Sequence, residues 1–267
     1  MKDKNASRIA EIDILRGIAV FLMIFDHAMF DLWGLLPGVF KGYPPTAGAW
    51  HEIYKTAREY WNWDVRVCVR IAVVFLFLAL TGICCSFSRS NLKRGSKLLL
   101  VALGLSIGTD ILGAVMGERD MVIMFGVLHC IAVTLILVGV SMKYISSKWF
   151  YLAVGIVMIG AGLYFERDQV YMSLYSNEPL RVLAATITGE AASGSDNFSL
   201  FLYGGQIFVG VFLGKLLYRE RRSLAGFEYK NNIVSFTGRH SLVVYIAHQV
   251  IIPIIMCAVL LLCGFRF

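Results

Sequence analysis

Long apolar segments dominate this chain. Seven of them approach the roughly 20 residues that a helix needs to cross about 30 Å of hydrocarbon. They cover residues 12–33, 66–87, 96–116, 122–141, 149–166, 198–218 and 240–263. With 58% hydrophobic and 16% charged residues, the chain is too apolar for a water-soluble globular protein. The sequence therefore predicts one all-α domain over residues 1–267, a polytopic membrane helical bundle of about seven transmembrane helices.

The positions of Lys and Arg predict the orientation of this bundle. If the N-terminus is cytoplasmic, every inner segment is basic and the outer segments carry fewer cations. The inner residues are Lys2, Lys4, Arg8, Arg89, Lys93, Arg94, Lys97, Lys143, Lys148, Lys215, Arg219, Arg221, Arg222, Lys230 and Arg239. The C-terminus is then extracytoplasmic. Because short orientation clusters account for the net charge of +7, we expect no nucleic-acid partner.

Two outer loops are long, at 34–64 and 167–197. In the first, residues 49–63 read as a short amphipathic helix rich in Trp and Tyr. This helix is either an interfacial aromatic belt or a lid or platform for a substrate, because aromatic faces suit sugar rings. The second loop ends in "GEAASGSDNFS" and is typical of a flexible connection.

The first span carries three ionisable residues inside the apolar stretch "GIAVFLMIFDHAMFDLW": Asp26, His27 and Asp31. An Asp at mid-helix costs roughly 2.5–3.5 kcal/mol to insert, so such groups usually face the interior of the bundle. Arg16 lies eleven residues before His27, about 16 Å along the axis at 1.5 Å per residue. The spacing predicts that both lie on one face, with Arg16 near the inner surface and His27 beyond the midplane.

Other spans add polar groups that indicate a polar cavity. They are His129, Gln206, Tyr245 and His248, with Ser241, Tyr245 and His248 on one helical stripe. The alternative is a structural network of Asp26, His27 and Asp31 that joins helices and is closed by Arg66 or Arg70.

Familiar soluble-enzyme motifs are missing from the sequence. It contains no G-x-S-x-G, H-E-x-x-H, Walker A or dinucleotide fingerprint. The six cysteines lie in or beside the spans without C-x-x-C spacing. We therefore interpret them as packing residues and predict neither a metal site nor a disulfide framework.

Five successive blocks resemble one known family, the bacterial branch of the heparan-α-glucosaminide N-acetyltransferase catalytic-domain family. The blocks are "RIAEIDILRGIAVFLMIFDHAMFDLWGL", "RIAVVFLFLALTGICCSFSRS", "FGVLHCIAVTLIL", "SDNFSLFLYGGQIFVGVFLGKLLY" and "GRHSLVVYIAHQVII". They run in order from Arg8 to Ile252. The resemblance implies a transmembrane acyltransferase in the bacterial inner or plasma membrane.

The spacing of Arg16 and His27 is also similar to a motif of the membrane O-acyltransferases that decorate bacterial polysaccharides. That resemblance implies a catalytic role for His27 and places Arg16 on the acyl-CoA side. In the lysosomal enzyme of the first family, an asparagine stands opposite His27, and a first-loop histidine has been proposed as catalytic. His51 lies in that loop here at a different spacing, so the identity of the catalytic histidine stays open.

These features lead to one prediction of function. The chain moves an acetyl group from cytoplasmic acetyl-CoA to an extracytoplasmic amino sugar or glycan hydroxyl or amine, with His27 as general base or acyl carrier and Asp26 or Asp31 orienting it. Candidate coenzyme residues are Arg16, Arg89, Arg94 and Arg239. Candidate cavity residues are His51, Arg66, Arg70, His129, Gln206, Tyr245 and His248. Expected partners are the lipid bilayer, acyl-CoA and the sugar acceptor, and a homodimer stays open.

Two alternatives use the same polar residues differently. A proton-coupled small-molecule transporter would relay protons through Asp26, His27 and Asp31. A seven-helix sensor or assembly partner would use them structurally. Acetyl-CoA binding separates the first prediction from both alternatives, and proton-coupled uptake into vesicles would identify the transporter.

Overall fold

The computed structural model describes residues 9–88, 90–116, 122–173, 177–194, 196–220, 222–226 and 232–266. Within these ranges, seven helices are long and apolar enough to cross a membrane, which confirms the predicted number of spans. They are α1 (Ala10–Phe30, continuing to Val39), α4 (Asp64–Phe87), α5 (Asn91–Met116), α6 (Val127–Tyr144), α7 (Lys148–Phe165), α9 (Leu200–Leu217) and α11 (Ser241–Leu262). Each overlaps the segment predicted from hydropathy.

Shorter elements lie between the spans. They are the helices α2 (Leu36–Val39), α3 (Ala49–Trp61), α8 (Pro179–Thr188) and α10 (Ile233–Arg239), and the strands β1 (Val170–Tyr171) and β2 (Ala191–Ala192), which pair in parallel. The helix α3 lies in the long loop after the first span and has the expected amphipathic pattern. A single turn of 3₁₀ helix, Glu166–Asp168, extends the short span α7.

The first span widens near its end, where Asp31–Leu35 forms a π-helical turn between α1 and α2. Pro37 explains this position, because its ring has no N–H to donate and clashes with the carbonyl one turn earlier. A π-helical turn absorbs that break while the chain keeps its helical course. Asp31 therefore begins the irregular turn and is buried there, at 9% exposure.

The chain forms two compact units. The first unit comprises residues 1–77 and 225–267, and the second comprises residues 78–224. In the first unit, α1 packs against α10 and α11. The contact with α10 is close, because a Cβ on Gly17 would meet the Val234 carbonyl and one on Gly238 would meet the Asp13 carbonyl. Only glycine permits backbones to approach in this way.

A second packing region of the first unit lies where the first and last spans end. Leu36, Phe40, Tyr43 and Leu260 form a buried apolar cluster. The rings of Trp50, Tyr54 and Phe265 pack edge-on around Tyr43. Burial raises the pKa of Tyr43 to about 12, so its hydroxyl keeps its proton and donates to the Leu32 carbonyl at 3.2 Å.

In the second unit, α7 packs on α9 and α5 packs on α6. Glycine again lies at the contacts: a Cβ on Gly155 would meet the Gly205 carbonyl, and one on Gly162 would meet the Leu202 backbone. Helices in lipid associate largely through such close van der Waals packing of small residues. In the segment "FLYGGQIFVGVFLG" of α9, a Cβ on Gly205 would meet the Gly155 carbonyl and one on Gly210 would meet the Ala79 carbonyl, so these two glycines lie where other backbones approach α9.

Candidate functional site

The central polar contact of the first unit joins two histidines. Nδ1 of His27, on α1, lies 2.9 Å from Nε2 of His248, on α11. The ring centres are 5.0 Å apart and the rings are tilted by 30°. His27 is half-buried and His248 is 6% exposed. Two candidate residues that are 221 positions apart in sequence therefore form one site.

Tyr245 completes the wall beside these rings. Its ring centre lies 6.2 Å from that of His27 and 5.4 Å from that of His248, edge-on to both. Ser241, Tyr245 and His248 are all buried, and the spacing of four and three residues keeps them on one side of α11. The predicted stripe thus faces the protein interior.

A second contact joins the same two helices nearer their beginnings. The Arg16 guanidinium donates from its Nη2 atom to Ser241 Oγ over 2.7 Å, and its Cζ lies 6.0 Å from the centre of the Phe77 ring. From Arg16 to His27, α1 rises about 16 Å, whereas α11 rises only about 10 Å from Ser241 to His248. The length of the arginine side chain covers the difference of about 6 Å. The two helices therefore run in the same direction, with Arg16 at one end of the shared seam and His27 at the other.

The hydrogen-bond partners fix the proton positions for two neutral rings. His248 Nδ1 lies 3.4 Å from the Val244 carbonyl oxygen, which only accepts, so this nitrogen carries the proton. His248 Nε2 is then an acceptor, and His27 Nδ1 must donate to it. The remaining nitrogen of His27, Nε2, keeps its lone pair, which can accept a proton from a substrate.

Asp26 is held by groups other than His27. Arg66 binds it with two hydrogen bonds, Nε to Oδ1 at 2.8 Å and Nη2 to Oδ2 at 3.0 Å, and the Tyr60 hydroxyl donates to Oδ1 at 3.0 Å. The Arg66 guanidinium lies only 3.4 Å from the centre of the Trp61 ring. Burial and the hydrogen bond to Asp26 raise the pKa of Tyr60, so its hydroxyl remains a donor.

This arrangement bears on the predicted role of the carboxylates. Both oxygens of Asp26 accept hydrogen bonds from Arg66, and the His27 ring nitrogen that has a hydrogen-bond partner faces His248. Asp31 lies one turn beyond His27, where the π-helical turn begins. The orienting role of Asp26 or Asp31 stays a prediction, and His248 occupies the position expected of an orienting group.

Three further candidates lie in the first unit. His51, on α3, uses Nδ1 to donate to the Pro45 carbonyl at 2.9 Å, a contact within its own loop. Arg70 is exposed on α4. Arg239 is half-buried at the end of α10, with its guanidinium 5.5 Å from the centre of the Phe236 ring. Since α10 packs on the beginning of α1, Arg239 belongs to the same end of the unit as Arg16.

The remaining candidates belong to the second unit or lie outside the described residues. His129 is 3% exposed on α6, and its Nε2 lies 3.1 Å from Ser106 Oγ. Gln206 is buried on α9, and Arg94 is exposed near the beginning of α5. Arg89 lies outside the described residues. Among the described residues, no group of three His, Cys, Asp or Glu side chains is placed to hold a metal ion.

Sequence reasoning missed two participants in this site. Tyr60 and Trp61 hold the Asp26–Arg66 pair, and both lie in the segment 49–63, whose aromatic character was visible. That signal indicated an aromatic surface, but it did not indicate which residues turn toward the first span.

The comparisons with known proteins give one match. The model of the family described as "Heparan-alpha-glucosaminide N-acetyltransferase, catalytic" matches residues 8–42 and 49–250. These ranges include His27, Arg16, Arg66 and His248. No curated protein and no solved structure matches the chain.

Proposed function

We propose that this chain, which belongs to the heparan-alpha-glucosaminide N-acetyltransferase catalytic family, transfers an acetyl group from cytoplasmic acetyl-CoA to an extracytoplasmic acceptor. The family is one of acetyltransferases, and the seven apolar helices make the chain a multi-pass membrane protein. The donor, the acceptor, the side of the membrane and the roles of the residues are the proposed part. The proposed acceptor is an amine or hydroxyl of an amino sugar or glycan.

One observation carries the proposal: the hydrogen bond of 2.9 Å between His27 and His248. It holds the ring so that the unprotonated Nε2 of His27 can serve as a base. A base of this kind must be fixed in orientation and in tautomer to be effective. His248 fixes both the orientation and the tautomer of the His27 ring. It acts as a positioning residue and does not touch the substrate.

The donor would bind at the other end of the α1–α11 seam. Coenzyme A carries phosphate groups, and arginine binds phosphate with paired hydrogen bonds. Arg16 and Arg239 belong to the end of the first unit that is predicted to be cytoplasmic. From Arg16 to His27 is about 16 Å along α1, a distance that the extended pantetheine arm can cover. Arg94 and Arg89 are further candidates from the predicted inner segments.

In the proposed reaction, the nitrogen or oxygen of the acceptor attacks the carbonyl carbon of the acetyl group. His27 Nε2 takes the proton from that nitrogen or oxygen at the same time. A C–N or C–O bond forms and the C–S bond of the thioester breaks. The imidazolium of His27 then returns the proton to the departing thiolate, which leaves as free coenzyme A. The alternative is an acetyl-histidine intermediate, in which Nε2 itself attacks the thioester and the acceptor attacks second.

The transporter alternative is less well supported by the contacts of Asp26. A relay through Asp26, His27 and Asp31 needs carboxylates that exchange protons with the imidazole. Both oxygens of Asp26 instead accept hydrogen bonds from Arg66, an arginine that keeps its charge throughout the physiological range. The ion pair therefore favours a structural role for Asp26.

The test is turnover of acetyl-CoA by purified protein in detergent, measured as free thiol released in the presence of amino sugars and glycans. Acceptor-dependent thiol release and a mass increase of one acetyl group on the acceptor would support the proposal. If acetyl-CoA does not bind, or binds without acceptor-dependent release across the panel, the proposed reaction is wrong. Proton-coupled solute uptake by reconstituted vesicles would then identify the transporter.

A further inference from the structure

The second unit contains a cavity with a basic lining. Its volume is about 450 Å³, and it lies at the ends of α4 and α9 beside the turn that joins α6 to α7. The lining residues are Ser86, Phe87, Ser146, Lys148, Gly214, Lys215, Tyr218 and Arg219. We call it the basic cavity. A volume of this order is typical of small-molecule sites.

The charge of the basic cavity has one sign. Lys148, Lys215 and Arg219 all line it, and the described lining residues include no Asp or Glu. Lys215 is held in place, because its Nζ donates to the Ser146 carbonyl at 3.1 Å and lies 4.7 Å from the centre of the Tyr151 ring. An ammonium group has three N–H donors, so a fixed Lys215 still has donors for a ligand. Cations of one sign around a cavity favour an anion.

The beginning of α7 adds to this preference. Lys148 is the first residue of the helix, and the N-cap residue Ser147 makes no side-chain capping hydrogen bond. The first-turn N–H groups of an 18-residue helix carry a partial positive charge and are ready donors. Helix beginnings with this combination bind phosphate and similar anions.

The surface beside the basic cavity is apolar and exposed. Trp149 is 61% exposed next to Lys148, and Leu216 and Leu217 are 41% and 47% exposed next to Lys215. In a membrane-spanning chain such side chains face lipid, and Trp is typical of the interface where headgroups lie. A phosphate in the cavity would therefore lie at headgroup depth, with acyl chains against the neighbouring leucines.

We propose that the basic cavity binds the headgroup phosphate of an anionic phospholipid from the leaflet on the predicted cytoplasmic side. Lys148, Lys215 and Arg219 contact the phosphate, and the apolar rim completes the site. This inference is independent of the proposed acetyl transfer. The same chemistry would suit a phosphate of coenzyme A, so the experiment separates the two sources.

The experiment uses the full chain, delipidated in neutral detergent, and titrates it with phosphatidylglycerol or phosphatidylcholine while native mass spectrometry counts the bound lipid. We expect phosphatidylglycerol to bind preferentially. Lys215→Gln and Arg219→Gln should each weaken it by about tenfold or more, the factor expected for a lost hydrogen bond to a charged group. Lys215→Arg keeps the charge and should retain most of the binding, which separates charge from folding.

Lys143→Gln is the matched control. Lys143 is an exposed cation at the end of α6 that is near the basic cavity, but Lys143 does not line the cavity. The proposal fails if both lipids bind equally, or if Lys143→Gln weakens phosphatidylglycerol as much as Lys215→Gln does. It also fails if adenosine 3′,5′-bisphosphate displaces the lipid and its own binding depends on Lys215. That outcome would assign the cavity to the donor.

Discussion

His27 and His248 are joined by a hydrogen bond of 2.9 Å between Nδ1 of the first and Nε2 of the second. Because His248 Nδ1 faces the Val244 carbonyl, the proton of the hydrogen bond belongs to His27 Nδ1. His27 Nε2 is then unprotonated and can act as a base. The pair is thus directional, with His248 as the acceptor. This direction allows the base role and the positioning role to be tested separately.

The base role is tested by His27→Asn. The asparagine amide can replace Nδ1–H and still donate to His248, but it has no counterpart of Nε2. A general base contributes about 10²–10⁴-fold to rate, so we expect turnover to fall by that factor while acetyl-CoA binding stays within a few-fold. The ionisation in the pH–rate profile should disappear. Turnover near that of the unmodified protein would refute the base role, and His51, His129 and His248 would be the next candidates.

The positioning role is tested at His248. His248→Ala removes the acceptor of the His27 proton, so His27 can rotate or adopt the other tautomer. We expect kcat to fall by about tenfold, which corresponds to roughly 1.4 kcal/mol, with little change in acetyl-CoA affinity. His248→Gln returns an acceptor oxygen near the position of Nε2 and should recover part of the lost rate. Equal rates for the Ala and Gln variants would mean that the hydrogen bond has no part in catalysis.

Arg16 is predicted to serve the donor. Arg16→Ala should weaken acetyl-CoA binding by about 1.5–3 kcal/mol through loss of a charge-assisted contact, while acceptor affinity barely changes. Isothermal titration calorimetry of the purified protein measures the affinity for acetyl-CoA and the affinity for the acceptor. Lys143→Ala is the matched control, since Lys143 is an exposed cation of a predicted inner segment and is not a candidate for binding the donor. Unchanged acetyl-CoA affinity in Arg16→Ala would reduce Arg16 to an anchor that donates to Ser241.

Hydropathy predicted the spans because the length of an apolar helix is set by the thickness of the bilayer. The stripe of Ser241, Tyr245 and His248 was also visible, because helical periodicity determines which residues share a face. The pairing of His27 with His248 could not be predicted, because the sequence does not show that α11 packs against α1 or how α11 is rotated about its axis. The close packing of α1 on α10 depends on Gly17 and Gly238, whose partner atoms are backbone carbonyls and leave no sequence pattern.

The partner of Asp26 could not be predicted from the sequence either. The sequence offered Arg66 and Arg70 as partners one helical turn apart, and either could have reached the first span. The choice depends on α3, because Tyr60 donates to Asp26 and Trp61 lies against the Arg66 guanidinium. A loop helix therefore decides which arginine of the next span is buried.

Breaking the Asp26–Arg66 pair is expected to destabilise the protein. The side chains are only 20% and 7% exposed, so Asp26→Asn or Arg66→Gln leaves a buried charge without its partner, at a cost of about 3–5 kcal/mol. The melting temperature in detergent should fall clearly for both. The double variant Asp26→Leu with Arg66→Met removes both charges and should be more stable than either single variant. The exposed pair Arg181–Glu178, at 72% and 62% exposure, is the matched control, and Arg181→Gln should change the melting temperature little.

The last prediction concerns orientation, on which the separation of donor and acceptor depends. Thr46 is exposed after the first span, and Ser147 is exposed after the fourth, so the two positions should lie on opposite sides of the membrane. The basic inner segments place Ser147 in the cytoplasm. In a cysteine-free background, Thr46→Cys should react with a membrane-impermeant maleimide in intact cells, whereas Ser147→Cys should react only after the cells are opened. The opposite pattern would put Arg16 at the outer surface, away from cytoplasmic acetyl-CoA, and the proposed direction of transfer would be wrong.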